Sequence, residues 1–100
     1  MIRFEWDVAK AESNLRKHRV SFELAESVFA DPYALTEQDR IVDGEPRWRT
    51  IGLVGGLAVL FVAHTVSEEA LNDIIRIISA RHANRKERIR YEENRTKNIR

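Results

Sequence analysis

Ile74-Ile75-Arg76-Ile77-Ile78-Ser79-Ala80-Arg81 begins dense in β-branched residues and ends cationic and polar. Its start reads as a buried strand. Arg81, His82, Arg85, Lys86, Arg88 and Tyr91 then follow within a few residues. A rigid strand that delivers guanidiniums to a helix start suits phosphate. Guanidinium forks pair with two oxygens at once, and free N–H groups at a helix N-terminus attract anions.

Downstream, Asn84 with Glu87 three residues on resembles a capping box and predicts a helix through roughly Asn94. The tail Arg95–Arg100 is expected to fray or to be ordered by a partner. The helix has only Ile89 and Tyr91 as large apolar groups, so it lacks a broad apolar stripe for docking. Upstream, the last strand spans Asn72–Ala80, after a turn at Ser67–Leu71. Arg47–Val54 and Leu57–Val66 flank Gly55-Gly56, a two-residue hairpin signal. Leu57–Ala63 is apolar on both faces, which places it mid-sheet. Gln38–Pro46 reads as a polar loop holding Asp43-Gly44, and Tyr33–Glu37 as a strand.

Asp31-Pro32 stops a helix that Ser21 caps, with Phe22, Ala25, Val28 and Phe29 at helical spacing. Before it, Asp7 caps a helix over Val8–His18, with Val8, Ala11 and Leu15 on one stripe, and Arg19-Val20 breaks it. Ile2–Trp6 alternates as a short strand. The order β-α-α-β-β-β-β-α predicts an α+β fold. Two helices cover one face of a small, mainly antiparallel sheet, and the other face is left for work. One hundred residues predict a single domain over 1–100, with 95–100 a flexible tail.

An apolar fraction of 43% and a charged fraction of 33% argue against wholesale disorder. No apolar run is long enough to span a bilayer and the amino terminus lacks a secretory layout, so a cytoplasmic protein with no membrane partner is expected. With no cysteine, disulfide and thiolate chemistry are excluded. The net charge of +1 hides an asymmetry. Residues 1–80 carry 9 Lys/Arg against 13 Asp/Glu, whereas residues 81–100 carry 8 against 3. An acidic body with a basic C-terminal fifth implies one surface that faces a polyanion.

No metal or cofactor is expected, because His18, His64 and His82 are scattered outside any ligand spacing. Gly55-Gly56 is not a phosphate loop, since neither a helix nor a lysine follows it. On an extended strand Arg76 and Arg81 leave opposite faces. Arg76 has Glu5, Glu37 or Glu45 as candidate partners, while Arg81 is a candidate phosphate contact. On the following helix, Asn84, Arg88, Tyr91 and Arg95 fall along one side, bordered by Glu87, and an arginine–aromatic pair there could hold a phosphate and stack a base. Arg47 and Arg49 share one strand face, with Trp48 on the other and more readily a core residue than a stacking platform. Lys17-His18 suit the negative end of the first helix dipole. His64 reads as a hydrogen-bonded core histidine, and His82 as a candidate proton acceptor.

Phe4-Glu5-Trp6-Asp7, Asn14, Lys17-His18, Val20-Ser21-Phe22-Glu23, Ala25, Val28-Phe29, Asp31-Pro32, Glu45, Arg47, Ile51-Gly52, Arg76-Ile77-Ile78-Ser79-Ala80-Arg81, Ala83, Glu87-Arg88 and Tyr91 together resemble the BrnT toxins. These are the ribonuclease half of a toxin–antitoxin pair. The resemblance covers residues 4–91. It implies a RelE-like fold, RNA cleavage that arrests growth, and neutralisation by a BrnA-like antitoxin with a ribbon-helix-helix DNA-binding domain. Toxin and antitoxin together would repress their own operon, with operator DNA bound only through the antitoxin. Its strand-end motif corresponds to Arg76 and Arg81, and its helix motif to Glu87, Arg88 and Tyr91. Arg19 stands where relatives have glycine, and His82 where they have Lys or Arg.

The expected chemistry is metal-independent endoribonuclease action by 2′-hydroxyl attack. Arg81 and Arg88 stabilise charge, Arg76 and Tyr91 orient the RNA, and Glu87 or a histidine moves protons. Arg49, His82, Arg85, Lys17 and His18 are expected to bind substrate. The alternative is a non-catalytic module that docks nucleic acid or an acidic partner through its basic C-terminal segment.

Overall fold

Side chains that alternate inward and outward along four of the strands build one sheet around which the rest is organised. The computed structural model describes residues 1–98. Their order is β1 (Ile2–Glu5), α1 (Val8–His18), α2 (Phe22–Glu26), a 3-10 turn (Ser27–Ala30), β2 (Leu35–Val42), β3 (Glu45–Val54), β4 (Ala58–Glu69), β5 (Asn72–His82) and α3 (Arg85–Asn98). The expected α+β order is observed. The sheet runs β1-β5-β4-β3-β2, antiparallel except for the parallel pair β1–β5. Among the described residues no helix is long and apolar enough to cross a membrane.

Gln38–Pro46 is not a loop. Asp43 and Gly44 both adopt positive φ, 51° and 78°. That primed turn closes the hairpin directly, so Val42 pairs Glu45 and Ile41 pairs Pro46. The turn at Gly55-Gly56 includes Leu57 as a third residue before β4 begins. α3 continues past Asn94 to Asn98, and the last two residues of the expected tail lie outside the described residues.

Between β4 and β5 the register shifts, so that His64 pairs Ile77 but Ala63 pairs Ser79. Ile78 is left over as a bulge. One extra residue resets the alternation, and Arg76 and Arg81 therefore leave the same face, not opposite ones.

The first face is covered by the N-terminal helices. Val20, Phe22, Ala25 and Val28 pack on Leu60, Val62, Ile75, Ile77 and Ala80. Of the predicted α1 stripe Ala11 packs on the core, while Val8 and Leu15 remain 67% and 48% exposed. α1 is held instead by buried Asn14, whose amide donates to Ala80 O at 2.8 Å and Val20 O at 2.9 Å and accepts from Ala80 N at 3.1 Å. β1 pairs β5 only as far as Arg76, so Asn14 bonds the open edge beyond it as a strand would. His64 is buried here as expected, with Nε2 2.8 Å from Thr50 Oγ1. Gly52 is required by close approach, because a Cβ would lie 2.8 Å from Val28 Cγ1.

Candidate active site

The second face is divided. At one end α3 covers Ile51, Leu53, Val59, Phe61, Tyr33 and Ala83 with the ring of Tyr91. Beyond α3 the floor is made of small side chains, Ala63 and Thr65 of β4 and Ser79 of β5. Register places Arg49, Ala63 and Ser79 in one row across the strands, and Thr65 and Arg76 in the next. Arg47 and Arg49 line this trough from β3, and Arg76 and Arg81 from β5. The bulge at Ile78 is what brings both β5 arginines to it.

Arg81 is the most constrained of the four. Its guanidinium lies 4.1 Å from the centroid of the Phe61 ring and forks onto Glu87, with Nη1 to Oε1 at 2.8 Å and Nη2 to Oε2 at 2.9 Å. Glu87 in turn closes the predicted capping box. Its Oε1 accepts from Asn84 N at 2.9 Å, while Asn84 Oδ1 accepts from Glu87 N at 2.9 Å. The Arg81 guanidinium, aided by the Asn84 N–H and the charge of nearby Arg49, holds the Glu87 carboxyl below the usual carboxylate range against the cost of partial burial. Hydrogen bonding to Glu87 raises the Arg81 pKa further. A carboxylate so engaged is a weak base. Its geometry suits aiming Arg81.

Arg88 donates from Nη1 to Ala83 O at 2.8 Å and is otherwise exposed in the first turns of α3. Arg85 is exposed beside it, and His82 is exposed at the end of β5. All three adjoin the Arg81–Glu87 pair along the chain, but His82, which pairs Leu60, leaves the opposite face of β5 from Arg81. Arg49 lies 3.5 Å from Glu37 Oε1 through Nε and 3.9 Å from Asp39 through Nη1. Glu37 also pairs with Arg90 of α3. Arg90 first, then the charge of Arg49, keeps the Glu37 carboxyl below its ordinary range in spite of partial burial.

Tyr91 is misplaced by helical spacing alone. It points into the sheet, is fully buried, and donates its hydroxyl to Asp31 Oδ2 at 2.6 Å, so its ring is not a platform for a base. Burial and the Asp31 carboxylate push its pKa up. Asp31 also accepts from Leu53 N at 2.8 Å and Tyr33 N at 2.9 Å. Burial opposes its charge, but the Tyr91 hydroxyl and those two N–H groups outweigh it and lower the pKa. Asp31 had been legible only as a helix stop.

Arg76 lies five residues before Arg81, about 15 Å along the strand, so it belongs to the far end of the trough. Among the described residues it has no ion pair, and none of Glu5, Glu37 and Glu45 holds it. Lys17 and His18 stand apart from the trough. They line a shallow hollow with Asn14, Ile78 and Ser79 along the α1 edge of β5, with no hydrogen bond or ion pair to Arg81, Glu87 or Arg88. Arg47 shares its strand face with Arg49, as their spacing predicts, and the register puts that face in the trough.

The profile of the family described as "Ribonuclease toxin, BrnT, of type II toxin-antitoxin system" matches residues 6–87. No curated protein matches the sequence significantly. Among solved structures, the crystal structure of the Brucella abortus ribonuclease toxin BrnT superposes with a TM-score of 0.59 at 21% sequence identity, covering 85% of this chain and 100% of that one. At that identity the likeness speaks to the fold, which the two proteins share.

Proposed function

This chain belongs to the BrnT family of ribonuclease toxins of type II toxin–antitoxin systems, and from that premise we propose that it is a metal-independent endoribonuclease acting at the Arg81 end of the trough. One observation carries the assignment of the site. The Arg81 fork is fixed by Glu87 and Phe61 at the mouth of an arginine-lined trough, beside exposed Arg85, Arg88 and His82.

In the proposed reaction the substrate's own 2′-hydroxyl attacks the adjacent phosphorus and the P–O5′ bond breaks. The products are a 2′,3′-cyclic phosphate and a free 5′-hydroxyl. Negative charge grows on the phosphorane oxygens, and Arg81 and Arg88 are the cations that meet it. Glu87 is a positioning residue for Arg81. In this reading the exposed His82 at the strand end moves a proton. Arg49, Arg85 and Arg76 carry the flanking backbone.

The partner is proposed to be a ribbon-helix-helix antitoxin that covers residues 81–95, neutralises the toxin in the cytoplasm and brings the pair to operator DNA to repress the operon. Reduced amide exchange over 81–95 in the complex is expected, and unchanged exchange there would place the antitoxin elsewhere.

A second reading is favoured by one observation: carboxylates already occupy Arg81, Arg49 and Arg90, leaving few proton-transfer groups free. On that reading the chain binds nucleic acid without cutting it. Incubation of purified RNA with the protein in excess chelator decides between them. Cleavage that persists, and is lost in Arg81→Ala and Arg88→Ala, supports the nuclease. Salt-sensitive binding with intact RNA supports the module.

A further inference from the structure

We propose that Arg47 and Arg76, facing each other across Thr65, form a subsite for an RNA phosphate flanking the one held at Arg81. The inference rests on the ribonuclease reading above and adds to it a length requirement for the substrate.

Arg47 precedes Arg49 by two residues on β3 and so shares its face, about 7 Å further along the trough. The β3–β4 register, in which Trp48 pairs His64, carries Arg47 level with Thr65, and Thr65 pairs Arg76. Two strand spacings, about 9.6 Å, separate the backbones of Arg47 and Arg76. Two arginine side chains span that gap with room for one anion between them. Thr65 is a small floor and obstructs nothing.

The charges at this end are unspent. Among the described residues Arg47 Nε is buried with no hydrogen-bond partner, and the one ion pair of Arg47 is a loose 3.7 Å contact with Glu45. A buried donor left unpaired is costly, so such a group calls for an acceptor. Arg76 is exposed, and Glu5, its neighbour in register on β1, does not come within ion-pair distance. The contrast is with Arg81, forked onto Glu87 at 2.8 and 2.9 Å, whereas Arg49 between them resembles Arg47, its Nε also buried without a hydrogen-bond partner and its acid contacts at 3.5 and 3.9 Å. From the Phe61 row to the Thr65 row is four residues of β4, about 13 Å. An extended nucleic-acid strand covers that gap in a couple of nucleotide steps. A single strand held at Arg81 therefore passes Arg49 and delivers a later phosphate to Arg47 and Arg76.

The test pairs phosphate removal with arginine removal on one RNA, 2′-O-methylated at the cut so that it binds without cleavage. A neutral methylphosphonate linkage is walked along it, and affinity is measured for the unsubstituted protein, for Arg47→Ala and for Arg76→Gln, which lies at an exposed position and spares the core. One linkage position, away from the cut, is expected to cost the unsubstituted protein about tenfold and either variant almost nothing further. The slope of log affinity against log salt should fall by about 0.7 in each variant. Losses that multiply equally at every linkage would overturn the subsite. Cleavage of the unmodified RNA is followed in parallel: cutting without coupling sinks only the subsite, whereas no cutting sinks the ribonuclease reading beneath it.

Discussion

The Tyr91 hydroxyl meets Asp31 Oδ2 at 2.6 Å, joining residues 60 positions apart, and this bond is what seats α3 on the sheet. α3 contributes one buried large side chain, while Ile89 is 46% exposed. Its other attachments are polar: Arg90 to Glu37, Asn94 to Tyr33 O, and Arg81 to Glu87. Tyr91→Phe keeps the ring and removes the hydroxyl. A hydrogen bond to a charged group contributes about 1.5–3 kcal/mol, so stability is expected to fall by that order. Amide exchange should rise across 85–98. A denaturation midpoint equal to that of the unsubstituted protein would show that the bond does not seat the helix.

Glu87 serves two structures at once, the capping box and the Arg81 fork, and two substitutions separate them. Glu87→Gln still offers an oxygen to Asn84 N, and glutamine is accepted in a capping box. The ion pair is partly exposed, so its loss is worth about 0–1 kcal/mol. Glu87→Gln is therefore expected to fold nearly as stably as the parent while kcat drops about tenfold or more, because Arg81 is no longer aimed. Glu87→Ala should lose activity and, in addition, about 1 kcal/mol of stability with the cap. If Glu87→Gln cleaves RNA at the full rate, the positioning role is wrong.

The residues that read correctly from sequence are those whose cause is local. Asp7 and Ser21 cap their helices through neighbours three residues on, and Asn84 and Glu87 close their box in the same way. Asp43-Gly44 is equally local, and its turn chemistry pulls both flanks of the expected loop into a hairpin. What could not be read depends on partners distant in the chain. The bulge at Ile78 is a property of the β4–β5 pairing, and no pattern within β5 announces it. Its effect is large, since it decides that Arg76 and Arg81 share a face. The inward turn of Tyr91 likewise depends on Asp31. On α1 the apolar stripe gives Ala11 to the core, while Val8 and Leu15 stay exposed and buried Asn14 holds the helix to β5.

His64 makes stability depend on pH with a definite sign. Burial lowers its pKa below the ordinary 6.5, against a smaller opposing effect of the Thr65 carbonyl. Its Nδ1 faces that carbonyl at 3.3 Å, which can only accept, so the neutral ring carries its hydrogen there. Nε2 then accepts from Thr50, whose Oγ1 lies 2.8 Å from Thr36 Oγ1. Above pH 6.5 folded and unfolded chains both hold a neutral ring, and the full contribution is present. As pH falls below 6.5 the unfolded chain takes up a proton that the folded chain refuses. Stability is lost at up to about 1.4 kcal/mol per pH unit until the folded-state pKa is reached. Urea midpoints at pH 7.5 and 5.5 should differ less in His64→Gln than in the parent, and an equal difference would show that His64 is not the titrating group.

Arg19 ends α1 in a conformation that favours glycine. Its φ is 60° and ψ 26°, and its N–H bonds Leu15 O at 2.9 Å, satisfying a carbonyl of the last turn. For a residue with a Cβ the left-handed region costs roughly 1–2 kcal/mol. Arg19→Gly relieves this cost but loosens the unfolded chain, so a net gain nearer 1 kcal/mol is expected. In a domain of this size that raises the melting temperature by about 4–8 °C. The basic group lost from the helix end works against the gain by about 0.3–1 kcal/mol at low ionic strength, so the stabilisation should grow as salt screens it. Asp43 supplies the comparison, with φ 51° in a turn where aspartate is tolerated, and Asp43→Gly should gain less. Melting curves of the two variants at low and high salt test both statements. A loss of stability in Arg19→Gly at high salt would mean that the arginine contributes a contact worth more than the strain it bears.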